Sequence, residues 1–172
     1  MNNPAVQYVV LAVCLLVLAL IWFWRSSGPR EPRPEELAAA ALNPQLPELE
    51  REKAAVRLAS HPDKPLSLIR RVFSEAQSVQ VRAAAALGLG ALMDWPSVPK
   101  LIEAMKGDSV ELRRQANAAV VQIMGRDFGF RADDPEPERK KAIAVIERNY
   151  PVYQKIYYNK NNLPRPVPET QP

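Results

Sequence analysis

The chain repeats one apolar pattern at an interval of 31 residues. The segment SVQVRAAA begins at Ser78, and the similar segment SVELRRQA begins at Ser109. The same spacing places Arg51 and Arg113 at the position that Arg82 holds in the middle copy. Copies at one period are the signature of repeat architectures, in which each unit buries its apolar face against its neighbours. The sequence therefore predicts an all-α fold, an α-solenoid of about three helical hairpins.

Each copy is predicted to form two helices joined by a turn, because its apolar residues recur at three- and four-residue spacing. Five caps are predicted at helix starts, namely Asp63, Ser78, Asp94, either Asp108 or Ser109, and Asp134. Residues 126–134 form an insertion in the third copy, and Phe128 and Phe130 are expected to anchor it to the core. The predicted first helices span 47–60, 78–93 and 109–124, and the predicted second helices span 65–76, 96–106 and 135–149.

The middle copy resembles a known repeat. Residues 78–88 read SVQVRAAAALG, and residues 97–105 read SVPKLIEAM. Together they resemble the short bacterial HEAT-like repeats of the phycobilisome-lyase type, over about residues 47–150. The first and third copies match less well, as terminal copies in repeat proteins often do. The resemblance implies an α-solenoid that binds proteins, and by itself it implies no chemistry.

The first 24 residues carry no charged side chain. Residues 5–24 are almost wholly apolar, and about 20 helical residues span roughly 30 Å, the thickness of a bilayer core. Tyr8, Trp22 and Trp24 would lie at the membrane interfaces, with Arg25 among the headgroups. The segment therefore predicts a transmembrane helix. A cleaved signal peptide would need a basic start and a small-residue cleavage site, which the segment lacks.

Basic residues predict the orientation of this single-pass protein. Arg25, Arg30 and Arg33 all follow the apolar run and none precedes it, so the positive-inside bias places the repeat domain in the cytoplasm. A short helix is predicted over 35–42, which either caps the domain or lies on the membrane. The predicted parts are the transmembrane helix at 1–24, a Pro-rich linker with a short helix at 25–46, the HEAT-like repeat domain at 47–158 and a Pro-rich disordered tail at 159–172.

The composition leaves little room for chemistry. The chain has one cysteine and one histidine, so it can form neither an internal disulfide nor a Cys/His metal cluster. A formal charge of +4 with 19 acidic residues is mild for a nucleic-acid-binding protein. Residues 127–129 read DFG, but the Gly-rich loop and strand lysine of a kinase are missing. We therefore expect no enzyme activity, no cofactor, no metal and no nucleic-acid partner.

Candidate partner-binding residues lie on the second helices and at their C-terminal extension. Second helices line the concave surface of HEAT-like solenoids, so the resemblance implies a basic groove for an acidic peptide at Arg70, Arg71, Lys100, Lys141 and Arg148. Because acidic residues are interspersed, the alternative is an ordinary solvated face. Tyr153, Ile156 and Tyr157 are predicted to share one face of a further helical stretch. They form either a lid on the core or a partner contact.

Together these patterns favour a membrane-anchored protein-binding scaffold or adaptor, acting as an accessory subunit of a larger membrane complex. Its partners would be membrane-associated proteins, and residues 5–24 would contact the lipid bilayer. Two alternatives stay open. One is a lyase-like or chaperone-like protein associated with an enzyme, and the other is a basic surface that binds anionic lipid or RNA.

Overall fold

A computed structural model describes residues 13–19 and 30–163, and over these residues the chain is all-helical. The chain divides into two compact units, Met1–Pro32 and Arg33–Pro172. In the first unit, residues 13–19 are helical and exposed. The helices of the second unit are α1 at Pro34–Leu42, α2 at Glu48–Ala59, α3 at Leu66–Glu75, α4 at Val79–Ala91, α5 at Val98–Lys106, α6 at Val110–Met124 and α7 at Glu136–Lys160.

The predicted transmembrane segment lies largely outside the described residues. Of residues 5–24 only 13–19 are described, and Tyr8, Trp22, Trp24 and Arg25 are not among them. Among the residues that are described, no helix has both the length and the hydrophobicity needed to cross a bilayer. The transmembrane helix therefore stays a prediction.

Local sequence signals set the helix ends. The Ser78 hydroxyl accepts a hydrogen bond from the Val81 N–H at 3.4 Å, and the Ser109 hydroxyl accepts one from the Leu112 N–H at 3.2 Å, so these two caps are confirmed. The predicted caps Asp63, Asp94 and Asp134 are wrong, because Pro65 and Pro135 hold the cap positions of α3 and α7 and Asp94 makes no cap hydrogen bond. Gly125 ends α6 in the left-handed conformation, with φ of 69°. The predicted helices agree with the structure to within two residues at every end except the C-terminus of the last one.

That last helix is longer than the sequence predicted. It was expected to end at residue 149, with one or two more turns beyond, but α7 continues unbroken from Glu136 to Lys160. Pro151 lies inside it and has no N–H to donate, which normally weakens a helix. Contacts on both sides of the proline hold the helix together, since the rings of Tyr150 and Tyr157 both pack against Trp95.

The first helices of the three copies lie side by side, with α4 packed against α2 on one side and α6 on the other. Two glycines of α4 permit this approach. A Cβ atom on Gly88 would lie 2.5 Å from the Ala59 Cβ, and one on Gly90 would lie 2.8 Å from the Ala119 Cα. Carbon atoms in contact are normally about 3.5–4.0 Å apart, so any side chain here would push the helices apart.

The remaining helices cover this row of three. Helix α3 packs on α4, α5 packs on α6, and α7 packs on α5 and α6. Helix α1 packs against α2 and α3 and buries Leu37, Ala38 and Ala41, so the short helix predicted in the linker caps the first helical pair. The loop after α6 is anchored as predicted, because Phe130 is buried and Phe128 is half-buried with its edge against the Tyr153 ring.

The repeated arginines make different contacts at the same repeat position. Arg113 is 6% exposed, and its guanidinium donates to the carbonyl oxygens of Gly107, Asp108 and Ala132 at 2.7–3.0 Å. The Arg82 Nε donates to the Phe73 carbonyl at 3.2 Å. The buried Nε of Arg51 has no hydrogen-bond partner within the described part of the chain. Arg82 and Arg113 therefore both bind backbone carbonyls, with one hydrogen bond for Arg82 and four for Arg113.

Candidate functional site

An apolar groove crosses the solvent-facing side of α2, α4 and α6. It encloses about 420 Å³. Val56 and Ala59 of α2 form one wall, Ala84 and Leu87 of α4 form the floor, and Gln115 of α6 lies on the other wall. The groove therefore lies on the first helices of the repeats, whereas the sequence prediction had placed binding on the second helices.

The solvent-facing side of α4 carries no charge. Its positions facing the groove are Gln80, Ala84, Leu87 and Ala91, which recur at helical spacing. The one charged residue of α4, Arg82, instead donates to a carbonyl at the end of α3. A surface helix normally presents polar or charged residues to water, so this exposed apolar stripe is a candidate interaction surface. Leu87 is 42% exposed here.

Polar groups line the edges of the groove. Glu52 of α2 is half-buried on one side and makes no ion pair among the described residues. On the other side, Glu111 of α6 accepts hydrogen bonds from Arg114 at 2.9 Å and from the Gln115 amide at 2.6 Å. An apolar floor between acidic and amide groups suits an amphipathic helix whose apolar stripe is flanked by basic residues.

One feature of the sequence relates to this groove, although the spacing of apolar residues did not reveal it. The run AAAALGLGA in α4 includes the two glycines that permit close helix packing, Gly88 and Gly90. The same run also leaves the opposite side of the helix without a charged residue over Ala83–Ala91. A count of charges by helix face would have shown that α4 lacks a charged outer side, but the groove itself depends on how α2, α4 and α6 pack.

The predicted basic residues of α3 are held in ion pairs. Arg70 forms a bidentate pair with Asp94, with its Nε 2.8 Å from Oδ2, and Asp94 is only 3% exposed. Asp94 also accepts a hydrogen bond from Ser97. Arg71 donates to Glu75, one turn along the same helix, at 3.0 Å. Arg70 thus joins α3 to the turn before α5.

The other predicted basic residues lie on two further helices. Lys100 of α5 is exposed and lines a cleft that also contains Arg82 and Glu103. On α7, Lys141 pairs with Glu138 at 2.8 Å, and Arg148 is exposed. None of the predicted basic residues lines the apolar groove. Their role in binding a partner stays a prediction.

The tyrosines of α7 form an aromatic cluster around Trp95. The Tyr157 ring lies 5.0 Å from the Trp95 ring, and the Tyr150 hydroxyl donates to the Trp95 carbonyl at 3.1 Å. Burial, followed by the nearby Tyr158 and Asp94, raises the pKa of Tyr150 to about 12.

Tyr153 makes a separate contact, because its hydroxyl lies 3.2 Å from the Arg126 guanidinium, which donates to it. Tyr153 and Tyr157 therefore fit the interpretation as a lid on the core. Ile156, predicted to share their face, is 58% exposed.

Within the described ranges, no three His, Cys, Asp or Glu side chains group in a way that could hold a metal ion. Comparisons with protein-family models, curated proteins and solved structures found no match to this chain. The resemblance to HEAT-like repeats therefore stays a prediction from the sequence.

Proposed function

We propose that this chain is a membrane-anchored protein-binding scaffold, and that the groove across α2, α4 and α6 binds an amphipathic helix of a protein partner. The observation that carries the proposal is the charge-free, exposed side of α4. Water solvates such a surface poorly, and a helix laid into the groove would remove it from water.

The energetics suit a modest, specific interaction. Full burial of a valine or leucine side chain contributes about 1.5–3 kcal/mol. Val56 and Leu87 are about half exposed, so covering each of them would contribute about 1 kcal/mol. Ala59, Ala84 and Gly88 are small and line the same groove, so a partner helix could approach closely and gain further contacts.

The rim selects the chemistry of the partner. Glu52 lies on one wall without an ion pair among the described residues, and Glu111, which is paired with Arg114, lies on the opposite wall, so basic residues beside the partner's apolar stripe would pair mainly with Glu52. Such edge pairs add more to specificity than to affinity. The proposed partner is therefore a helix with a basic rim, in contrast to the acidic peptide that the basic residues of the second helices had suggested.

We also infer that the helical unit is a short α-solenoid held close to a membrane. Support for the solenoid comes from the 31-residue repeat and from the order in which α2, α4 and α6 lie side by side. Support for the anchor comes from the uncharged run at residues 5–24. An anchor would raise the effective concentration of the groove near membrane proteins, as expected of an accessory subunit.

The binding proposal is tested with two matched helical peptides. Both carry the same apolar stripe, and one has lysines beside it where the other has glutamates. Full-length protein in phosphatidylcholine nanodiscs is titrated into each fluorescent peptide. We expect the lysine peptide to bind more tightly. The variant Leu87→Glu should weaken its binding at least about tenfold, equivalent to about 1.4 kcal/mol, because a carboxylate would be buried under the partner helix.

Two further variants make the result specific. Glu52→Lys should reduce the preference for the lysine peptide, because it reverses one charge of the rim. Arg71→Glu introduces a carboxylate at an exposed position of α3, away from the groove, and should leave binding unchanged. The groove would be rejected as the binding site if the original chain bound the two peptides equally and Leu87→Glu bound them as tightly as the original chain.

The membrane part of the proposal needs its own measurement. Tagged full-length protein is extracted from native membranes in a gentle detergent and sized by native electrophoresis. An accessory subunit should migrate in a discrete large complex with stoichiometric membrane proteins. Release from the membrane by salt or carbonate, without detergent, would contradict the anchor.

A further inference from the structure

The C-terminal half of α7 has two faces of different character. Its inner face carries Tyr150, Tyr153 and Tyr157. The rings of Tyr150 and Tyr157 pack against Trp95, and the ring of Tyr153 packs against Phe128. Its outer face carries two large aliphatic side chains that are more than half exposed, Val152 and Ile156. They are four residues apart and so lie on one side of the helix.

Basic residues alternate with this aliphatic stripe. Arg148, Lys155 and Lys160 are exposed, and none of them forms an ion pair within the described part of the chain. The sequence has no acidic residue from 148 to 168. The first turns of α7 differ, because their lysines pair with glutamates of the same helix. The uncompensated positive charge of α7 is therefore concentrated beside the exposed aliphatic residues.

We propose that this outer face of α7, defined by Arg148, Val152, Lys155, Ile156 and Lys160, binds the surface of an anionic lipid bilayer. A helix that lies in a membrane interface buries aliphatic side chains at the boundary of headgroups and acyl chains, and its basic residues reach the anionic headgroups. Lysine and arginine suit this position because their long stems are apolar. The inference concerns a different surface from the groove and does not depend on it.

The exposed chemistry favours lipid over nucleic acid. Proteins that bind single-stranded nucleic acid stack bases on aromatic rings beside a basic groove. Here the tyrosine rings are half-buried against the core, and it is aliphatic side chains that stand among the lysines. Aliphatic side chains gain little from a polyanion in water, but they gain from entering the apolar part of a bilayer.

The test places a fluorescent reporter on this face in the full chain. Cys14 is the only cysteine, so Cys14→Ser gives a cysteine-free background. Ile156→Cys is labelled with a polarity-sensitive dye. Arg57→Cys, at an exposed position of α2, carries the same dye as the reference. The protein is combined with vesicles of phosphatidylcholine alone or of phosphatidylcholine mixed with phosphatidylserine.

We expect the dye at 156 to shift to shorter wavelength, and to be quenched by spin-labelled lipid, in the phosphatidylserine vesicles only. The dye at 57 should do neither. Replacing both Lys155 and Lys160 by glutamine should shift the equilibrium away from the lipid-bound state by roughly 30-fold, at about fivefold for each basic residue. Salt at about 1 M should also weaken the effect, because the screening length falls to about 3 Å.

A matched variant separates this surface from net charge. Arg57→Gln with Lys64→Gln, in the chain labelled at 156, removes two exposed cations from another part of the unit and should leave the signal unchanged. Circular dichroism checks that each variant is folded. Equal dye emission with both vesicle types would overturn the proposal. So would a response to added RNA that lipid does not produce.

Discussion

The repeated arginines allow one prediction to be developed in depth. Replacing Arg51, Arg82 and Arg113 by methionine, one at a time, makes the same chemical change at one position of three repeats. Methionine keeps much of the apolar stem and removes the guanidinium donors. The contacts differ, so we expect the loss of stability to be largest for Arg113→Met, intermediate for Arg82→Met and smallest for Arg51→Met.

The magnitude follows from the hydrogen bonds. Arg113 makes four hydrogen bonds to three carbonyl oxygens. Two of the four go to the carbonyl of Ala132, in the loop between α6 and α7. A hydrogen bond to a charged group contributes about 1.5–3 kcal/mol, but removing a buried cation also recovers several kcal/mol of desolvation free energy. The balance is a net loss of about 3 kcal/mol. Arg82 makes one such bond at a half-buried position, where water recovers part of its value, and should lose about 1 kcal/mol.

Thermal and urea unfolding of the full chain in mild detergent, followed by circular dichroism at the helical wavelengths, measures these differences. A loss of about 3 kcal/mol should lower the Tm of Arg113→Met by about 10 °C. Arg51→Met should stay within about 0.5 kcal/mol of the original chain. Equal losses at all three positions would refute the reasoning, because the effect would then come from the substitution and not from the contacts.

Three further predictions concern single contacts. Asp94→Ala removes the buried carboxylate that pairs with Arg70 and should lower the free energy of unfolding by about 2 kcal/mol, whereas alanine at an exposed aspartate should change it by less than about 0.5 kcal/mol in urea titrations. Gly88→Ala brings a Cβ atom to 2.5 Å from that of Ala59 and should cost about 1–3 kcal/mol in the same titration; no loss would show that α2 and α4 can separate freely. Because the pKa of Tyr150 is raised in the folded chain, the unfolded chain releases this proton first, and the free energy of unfolding should fall as pH rises from about 10 to about 12. Tyr150→Phe should make that fall shallower. Identical slopes for the two chains would contradict the assignment.

Short-range patterns predicted most of the helical architecture. Helix starts at Ser78 and Ser109 depend on a cap only three residues from its partner, and apolar spacing identifies a helix from neighbouring turns alone. The exception was the C-terminus of α7. There the predicted helix ended at residue 149, and contacts with Trp95, more than 50 residues away along the chain, hold one continuous helix through Pro151.

The candidate sites depended on contacts that sequence spacing does not reveal. Arg70 was predicted to contribute to an open basic surface, but its partner Asp94 lies 24 residues away and meets it only when α3 packs beside the turn before α5. The groove likewise exists only because α2, α4 and α6 lie side by side. Leu87 has the same local pattern as a core residue, and its exposure follows from which side of α4 its neighbours cover.

The most direct test of the central claim is photo-crosslinking from the groove in living cells of the source organism. A photoreactive amino acid replaces Leu87 in the full chain, and a second chain carries it at Arg71 as the control. The crosslinked peptide of the partner is then mapped by mass spectrometry. The account predicts an adduct from position 87, absent from position 71, on a helix with an apolar stripe flanked by lysine or arginine. No adduct from position 87, or the same adducts from both positions, would contradict it.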